Sequence, residues 1–254
     1  MKIYRQLLNQ KTFKMVDKNF PSYEPYKKEK QKHLKNQIDL TNFTKEINES
    51  NRKDILLESL DNIKEDYIYQ SNIHGINHNE RVSLYGFYIG VKNNLEDQNL
   101  KLLLEACKYH DIGRINDIED KAHGYRSSKI IETFEPLTKE DLKVLKCMIT
   151  YHSIDDYLLS NLANHYEIKD KDNLQLLCNI LKDSDALDRT RGGTIWGLNT
   201  NFLRTEQAKE MVYLAYELLY NYEQIKKEQK NKERKKEYER NLYWNQSRQF
   251  KTQR

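Results

Sequence analysis

The 254-residue chain reads as an all-α protein, on two observations. Glycine and proline number only 8 and 3, against a background rich in Leu, Lys, Glu, Asn and Gln. A β-rich or βαβ fold needs turn residues at regular short intervals, and this sequence does not supply them. From Lys53 to about Tyr222, moreover, apolar residues recur at the three- and four-residue spacing that forms one face of a helix. The length allows one sizeable core with helices left over to flank it.

Three segments follow from the pattern. Residues 1–52 are polar, broken by Pro21 and Pro25, with a basic cluster from Lys27 to Lys35. They read as a peripheral arm of short helices, an oligomerisation or lid element. Residues 53–222 carry the core pattern. Residues 223–254 lose it and become a mixed-charge run of high helix propensity, KKEQKNKERKKEYER. Eight Lys or Arg lie between Ile225 and Arg240, with glutamates interleaved, so the tail reads as a solvated helix sooner than as a nucleic-acid arm.

Composition excludes other classes. With 43 basic and 39 acidic residues the net charge is +4, which describes a solvated surface and not a polyanion-binding domain. Cys107, Cys147 and Cys178 lie in separate apolar runs, without zinc-knuckle or redox spacing, and read as buried thiols in a reducing compartment. No window approaches 18 apolar residues, and Met1 to Lys14 lacks the apolar stretch of a signal peptide. The expectation is a cytoplasmic protein with no membrane span.

The chemistry emerges where helical stripes end. Leu100, Leu103, Leu104 and Cys107 mark the buried face of a helix predicted over Leu100–Gly113, and the stripe runs into His110 and Asp111. Leu174, Leu177, Cys178 and Leu181 lead in the same way to Asp185 and Asp188. Leu142, Leu145, Met148 and Ile149 lead to His152, and the stripe Val82, Tyr85, Ile89 starts from His78. A single buried histidine is ordinarily a hydrogen-bonded core residue. Four helices that each put a His or Asp where a leucine belongs call for a metal, because a buried carboxylate is costly unless paired or ligated. Imidazole with carboxylate, and no thiolate, suits Mn, Fe, Co, Ni or Zn in an open, catalytic site.

The order of these residues resembles the HD-domain phosphohydrolase superfamily, through HGINHNERV (His74–Val82), YHDIGR (Tyr109–Arg114) and LKDSDALDRTR (Leu181–Arg191). The resemblance covers roughly residues 70–220 and implies an HD-domain-like helical bundle with polar helical extensions at both ends. It implies His78, His110, Asp111 and Asp185 as ligands of one divalent ion, Mg included among the candidates. His123, twelve residues after Asp111, and His152 fit the further histidines of two-metal members, with Asp111 bridging both ions. Members that act on cyclic dinucleotides carry Gly-Tyr-Pro and adjacent histidines, where this chain has Gly124-Tyr125-Arg126 and His152 alone.

Cationic clamps are expected for a phosphate. Arg189 and Arg191 follow the last ligand and precede Gly192 and Gly193, a loop through which backbone and guanidiniums approach a phosphoryl group. The alternative is that either arginine pairs with Asp188 to hold a helix end. Arg204 is a further candidate by the same resemblance, and Tyr151 and Trp196 are aromatic candidates for a base, though packing is the favoured reading of lone aromatics. Arg81 is expected to make a structural pairing that orients a ligand, a ligating carboxylate being one candidate partner, Arg114 to reach substrate or solvent, His74 to line the pocket entrance, and His33 and His165 to lie on the surface. The resemblance implies cleavage of a phosphate ester or diester of a nucleotide or oligonucleotide by a hydroxide bridging the ions. A nucleotidase or triphosphohydrolase on a monomeric nucleotide is one alternative; a nucleotide-sensing or nucleic-acid-binding module with an inactive pocket is another.

Overall fold

This computed structural model describes residues 2–31, 36–133, 137–193 and 197–251, with side chains as far as residue 241. His33 and Trp196 fall outside them. Among the described residues the chain is helical throughout, with no strand. Four short helices, α1 (Ile3–Leu8), α2 (Tyr23–Gln31), α3 (Leu40–Glu49) and α4 (Lys53–Asp61), precede α5 (Ile76–Lys92) and α6 (Asp97–Tyr109). Then come α7 (His123–Ile130), α8 (Lys139–Tyr151), α9 (Leu159–His165) and α10 (Lys171–Asp188). A 3₁₀ turn at Arg189–Gly192 leads on to α11 (Glu206–Lys209) and α12 (Val212–Lys251).

The starts of several helices follow from their capping residues. Asp39, Thr138 and Asp170 each accept a hydrogen bond from the backbone N–H three residues on, at 2.7, 3.1 and 3.0 Å. Caps of this kind contribute about 1 kcal/mol apiece. Between α5 and α6 the chain turns through Asn94 at φ 55°, a left-handed conformation that asparagine tolerates.

Helix α5 is the axis of the fold. Every residue from His78 to Gly90 is buried, so it is enclosed on all sides by α4, α6, α10 and α11. Its composition is graded. The first half buries His78, Asn79, Glu80, Arg81 and Ser83, while the second half buries Leu84, Phe87 and Ile89. The polar end of an otherwise apolar bundle is where the site forms.

The two ends of the chain differ from their sequence pattern in opposite ways. Tyr4, Leu7, Phe43 and Ile47 are buried in the same apolar cluster as α5 and α10, and α1 packs along α12. Helices α1, α2 and α3 are therefore part of the core's wall; each offers one narrow apolar face that polar neighbours dilute in sequence. Helix α12 belongs to the core as far as Ile225, and a Lys14–Glu228 ion pair at 2.8 Å holds its next turn. From residue 231 to 241 it is exposed, the solvated helix that its charge pattern predicts. All three cysteines are buried and free, and among the described residues no helix is long and apolar enough to cross a membrane.

Candidate metal centre

Four histidines meet at helix ends. His78 lies in the first turn of α5 and His123 opens α7, while His110 and His152 cap the C-termini of α6 and α8. Helix α6 thus stops at Tyr109, short of the predicted Gly113. The carbonyls of a last turn lack helical partners. Here His110 Nδ1 takes that of Cys107 at 3.0 Å and His152 Nδ1 that of Ile149 at 2.5 Å. His123 Nδ1 bonds the Asp120 carbonyl, and His78 Nδ1 bonds Asp188 Oδ2 at 2.7 Å. With every Nδ1 bonded away from the centre, each Nε2 is turned toward it and can ligate once it carries no proton.

Asp111 stands between two pairs of these nitrogens. Its Oδ2 lies 3.6 Å from His78 Nε2 and 3.7 Å from His110 Nε2. Its Oδ1 lies 3.0 Å from His123 Nε2 and 3.6 Å from His152 Nε2. Asp185 Oδ1 joins the first pair, 3.4 Å from His78 and 3.8 Å from His110, from the more open side. Two glycines permit the convergence. A Cβ on Gly113 would meet the backbone of Ser127 and His123 at 2.4 and 2.6 Å, and one on Gly124 would meet the Ile149 carbonyl at 2.5 Å. Only glycine lets the turn after Asp111, α7 and the end of α8 close on one another.

The donor set fits divalent metal. Both carboxylate oxygens of Asp111 are buried without a hydrogen-bond partner among the described residues. The Nε2 atoms face each other at 3.1 Å (His78 and His110) and 2.8 Å (His123 and His152), an approach that a shared cation, whether a proton or a metal ion, makes favourable. His78, His110 and Asp111 form one group of metal-ligand spacing, and Asp111, His123 and His152 a second.

Electrostatics point the same way. Burial and the neighbouring Arg191 push the His78 imidazole down, but Asp111, Asp185 and Asp188 together overcome them and raise it to about 9. Burial dominates at His110 and lowers it to about 3. Despite burial, the surrounding imidazoles hold Asp111 and Asp185 well below the usual carboxylate range. In the metal-free protein the His78 proton is stabilising in full below about pH 6.5, and that contribution fades as pH rises through about 9. A ligating nitrogen must shed its proton. Binding of Mn²⁺ at pH 7 is therefore expected to release about one proton and to tighten as pH rises. Calorimetry in buffers of different ionisation enthalpy reads that proton directly; release of none would contradict it.

The surrounding charges divide into orienters and clamps. Asp188 is fully buried and binds Arg81 through two bonds, at 2.6 and 2.9 Å, as well as His78. Arg81 thus makes the expected structural pairing, through Asp188, which orients His78. Arg191 Nη1 donates to Asp188 at 3.1 Å, the helix-end pairing, while its buried Nε has no partner. Arg189 is exposed next to it. Arg114 Nε lies 2.9 Å from Asp111 Oδ1.

Two expected substrate contacts lie elsewhere. Arg204 is held by Asp156, at 3.0 and 2.9 Å, and by Asp183, at 3.3 Å. Tyr151 is 1% exposed, with Lys182 Nζ 3.9 Å from its ring centroid, and presents no face to a base. A cavity of about 300 Å³, lined by Ile55, Ser59, Leu102, Lys108, Tyr109 and Leu145, opens on the opposite face of α6 and contains none of the histidines.

Fold and site together define an all-α protein with a His/Asp metal centre. Residues 75–190 match the family described as HD domain. This stretch of the chain is an HD domain, a match that supports a metal-dependent hydrolase in general. No curated protein and no solved structure matches the chain.

Proposed function

We propose that the protein is a two-metal phosphohydrolase that cleaves a phosphate ester of a nucleotide or oligonucleotide, with phosphodiesters preferred. The observation that carries this reading is the Asp111 carboxylate, each oxygen of which faces a separate pair of imidazole nitrogens. His78, His110 and Asp185 would hold one ion, His123 and His152 the other, and Asp111 both. Divalent ions in such a pair make water a nucleophile near neutral pH and neutralise charge on phosphoryl oxygens.

The chain's own groups supply the rest. Asp188 fixes the His78 tautomer, and the Cys107, Ile149 and Asp120 carbonyls fix the other three rings. Arg189 and Arg191 flank the last ligand, and the unpartnered Nε of Arg191 supports a role in meeting a phosphoryl oxygen. No serine or cysteine nucleophile is required. The test is purified protein loaded with Mn²⁺ and assayed on bis(4-nitrophenyl) phosphate and on 4-nitrophenyl phosphate, alongside metal analysis. Two equivalents of metal and faster cleavage of the diester are expected. Two bound equivalents with neither ester cleaved would refute the reading.

A further inference from the structure

Beside the metal centre stands a histidine that ligates nothing and is nevertheless held firmly. His74, in the loop before α5, is 7% exposed. Its Nδ1 donates to Asp117 Oδ1 at 2.8 Å. The same oxygen accepts the Ser71 hydroxyl at 2.6 Å, and Ser71 Oγ in turn accepts the backbone N–H groups of Ile73 and His74, at 2.9 and 3.2 Å. Asp117 lies in the loop that follows Asp111 and Gly113, so this anchor ties together the segments carrying two of the ligands. The arrangement defines one tautomer. With Nδ1 as donor, Nε2 carries the lone pair, has no partner among the described residues, and keeps its contact with solvent.

Position gives that lone pair a use. The His74 ring stands edge-on to His78, centroids 5.8 Å apart. Arg191, the candidate phosphate clamp, donates to the same Asp188 Oδ2 that His78 Nδ1 binds. A phosphate at this centre would thus have cations on one flank and, beside His78, a neutral acceptor that offers it nothing. An acceptor needs an O–H or N–H. The nearest such group on a phosphate ester is a hydroxyl on the carbon adjacent to the one bearing the phosphate; a base lies farther away.

We propose that His74 is a specificity-determining residue, whose Nε2 accepts a hydrogen bond from a hydroxyl vicinal to the scissile phosphate. This rests on the phosphohydrolase reading and sharpens it: the substrate is a ribonucleotide or a polyol phosphate, not a deoxynucleotide. A site that hydrogen-bonds a hydroxyl discriminates against the analogue lacking it, because the acceptor is left unpaired, and a preference of about tenfold or more is expected.

The experiment compares kcat/KM with Mn²⁺ for two matched pairs, in wild type and in His74→Ala. The pairs are the dinucleotide ApA with dApdA, and glycerol 3-phosphate with 3-hydroxypropyl phosphate. Preference within the first pair marks a nucleotide substrate and within the second a polyol phosphate. His74→Ala should bring the preferred pair's ratio to within about twofold of one, with metal content at the wild-type level, while His74→Gln, which retains an acceptor oxygen, should keep part of it. A wild-type ratio near one in both pairs would overturn the proposal. So would a His74→Ala protein that loses rate equally on both members, since a merely structural histidine would do that. If wild type cleaves none of the four, the phosphohydrolase reading has failed. The same ratios are then read as Kd by calorimetry on the Mn²⁺-loaded proteins, where equal or absent binding overturns the proposal independently.

Discussion

Asp111→Asn is expected to empty the centre of metal and to lower kcat/KM at least about 10³-fold, roughly 4 kcal/mol of transition-state stabilisation. The substitution keeps size and shape, so the fold survives. It removes the one negative charge shared by all four imidazoles and turns half of the group into a donor. Whichever way the amide turns, one pair of nitrogens loses its carboxylate oxygen. Asp185→Asn provides the contrast, because Asp185 approaches only His78 and His110 and is 30% exposed at the side chain. That variant should keep the ion held by His123 and His152. Elemental analysis and rates on a diester check both. A fully loaded, fully active Asp111→Asn protein would rule out Asp111 as the shared ligand.

Much of this centre was legible as interruptions in an apolar stripe. The periodicity that carries Leu103 and Cys107 inward carries His110 and Asp111 with them, because the helix buries whatever stands on that face. The same logic brought Asp185 and Asp188 inward together and did not distinguish them. They sit one turn apart on α10, and only the packing of α5 shows that Asp185 faces Nε2 of His78 while Asp188 takes its Nδ1. The end of α6 was not legible either. No glycine or proline lies between Gly90 and Gly113, and the cap is a side-chain event, the His110 ring on the Cys107 carbonyl.

Other features depended on pairings distant in sequence. The acids that hold Arg204, Asp156 and Asp183, lie 48 and 21 residues away, so nothing near it in sequence opposes the phosphate contact that the family resemblance implies. Tyr151 packs as a lone aromatic is expected to: it follows Met148 by three residues, and the stripe that leads to His152 leads it into the core as well. His123 stood in a short helix with no apolar stripe, so only the family resemblance suggested it. The Ser71–Asp117–His74 anchor is likewise invisible in sequence, since its members belong to two loops 43 residues apart.

Asp188→Ala should prove the most damaging change outside the ligands. Arg81 and Asp188 are 3% and 0% exposed, so their pairing is unscreened, and removing one partner strands a buried guanidinium. Breaking such a pair costs about 3–5 kcal/mol, which for a chain of this size lowers Tm by roughly 10 °C. Arg81 also stacks 5.2 Å from the centroid of Tyr222 on α12, so the loss reaches the helix that closes the core. A second effect is separable. His78 loses the acceptor that sets its tautomer, and metal affinity should fall about 10–100-fold. Asp188→Asn divides the two, because its amide oxygen still accepts His78 Nδ1–H while the charge is gone. It should lose most of the stability and less of the affinity. The sign with pH follows from Asp188 being held low by Arg81, His78 and Arg191 against the effect of burial. The stabilisation is present above the unfolded carboxylate value of about 3.9 and is lost as pH falls through the lower folded value, so the gap between wild type and Asp188→Asn should be full at pH 7 and close only in acid. Thermal melts across that range, with metal titrations at pH 7, decide it. Equal affinity losses in the Ala and Asn variants would show that Asp188 acts on the metal centre through its charge and not through the orientation of His78.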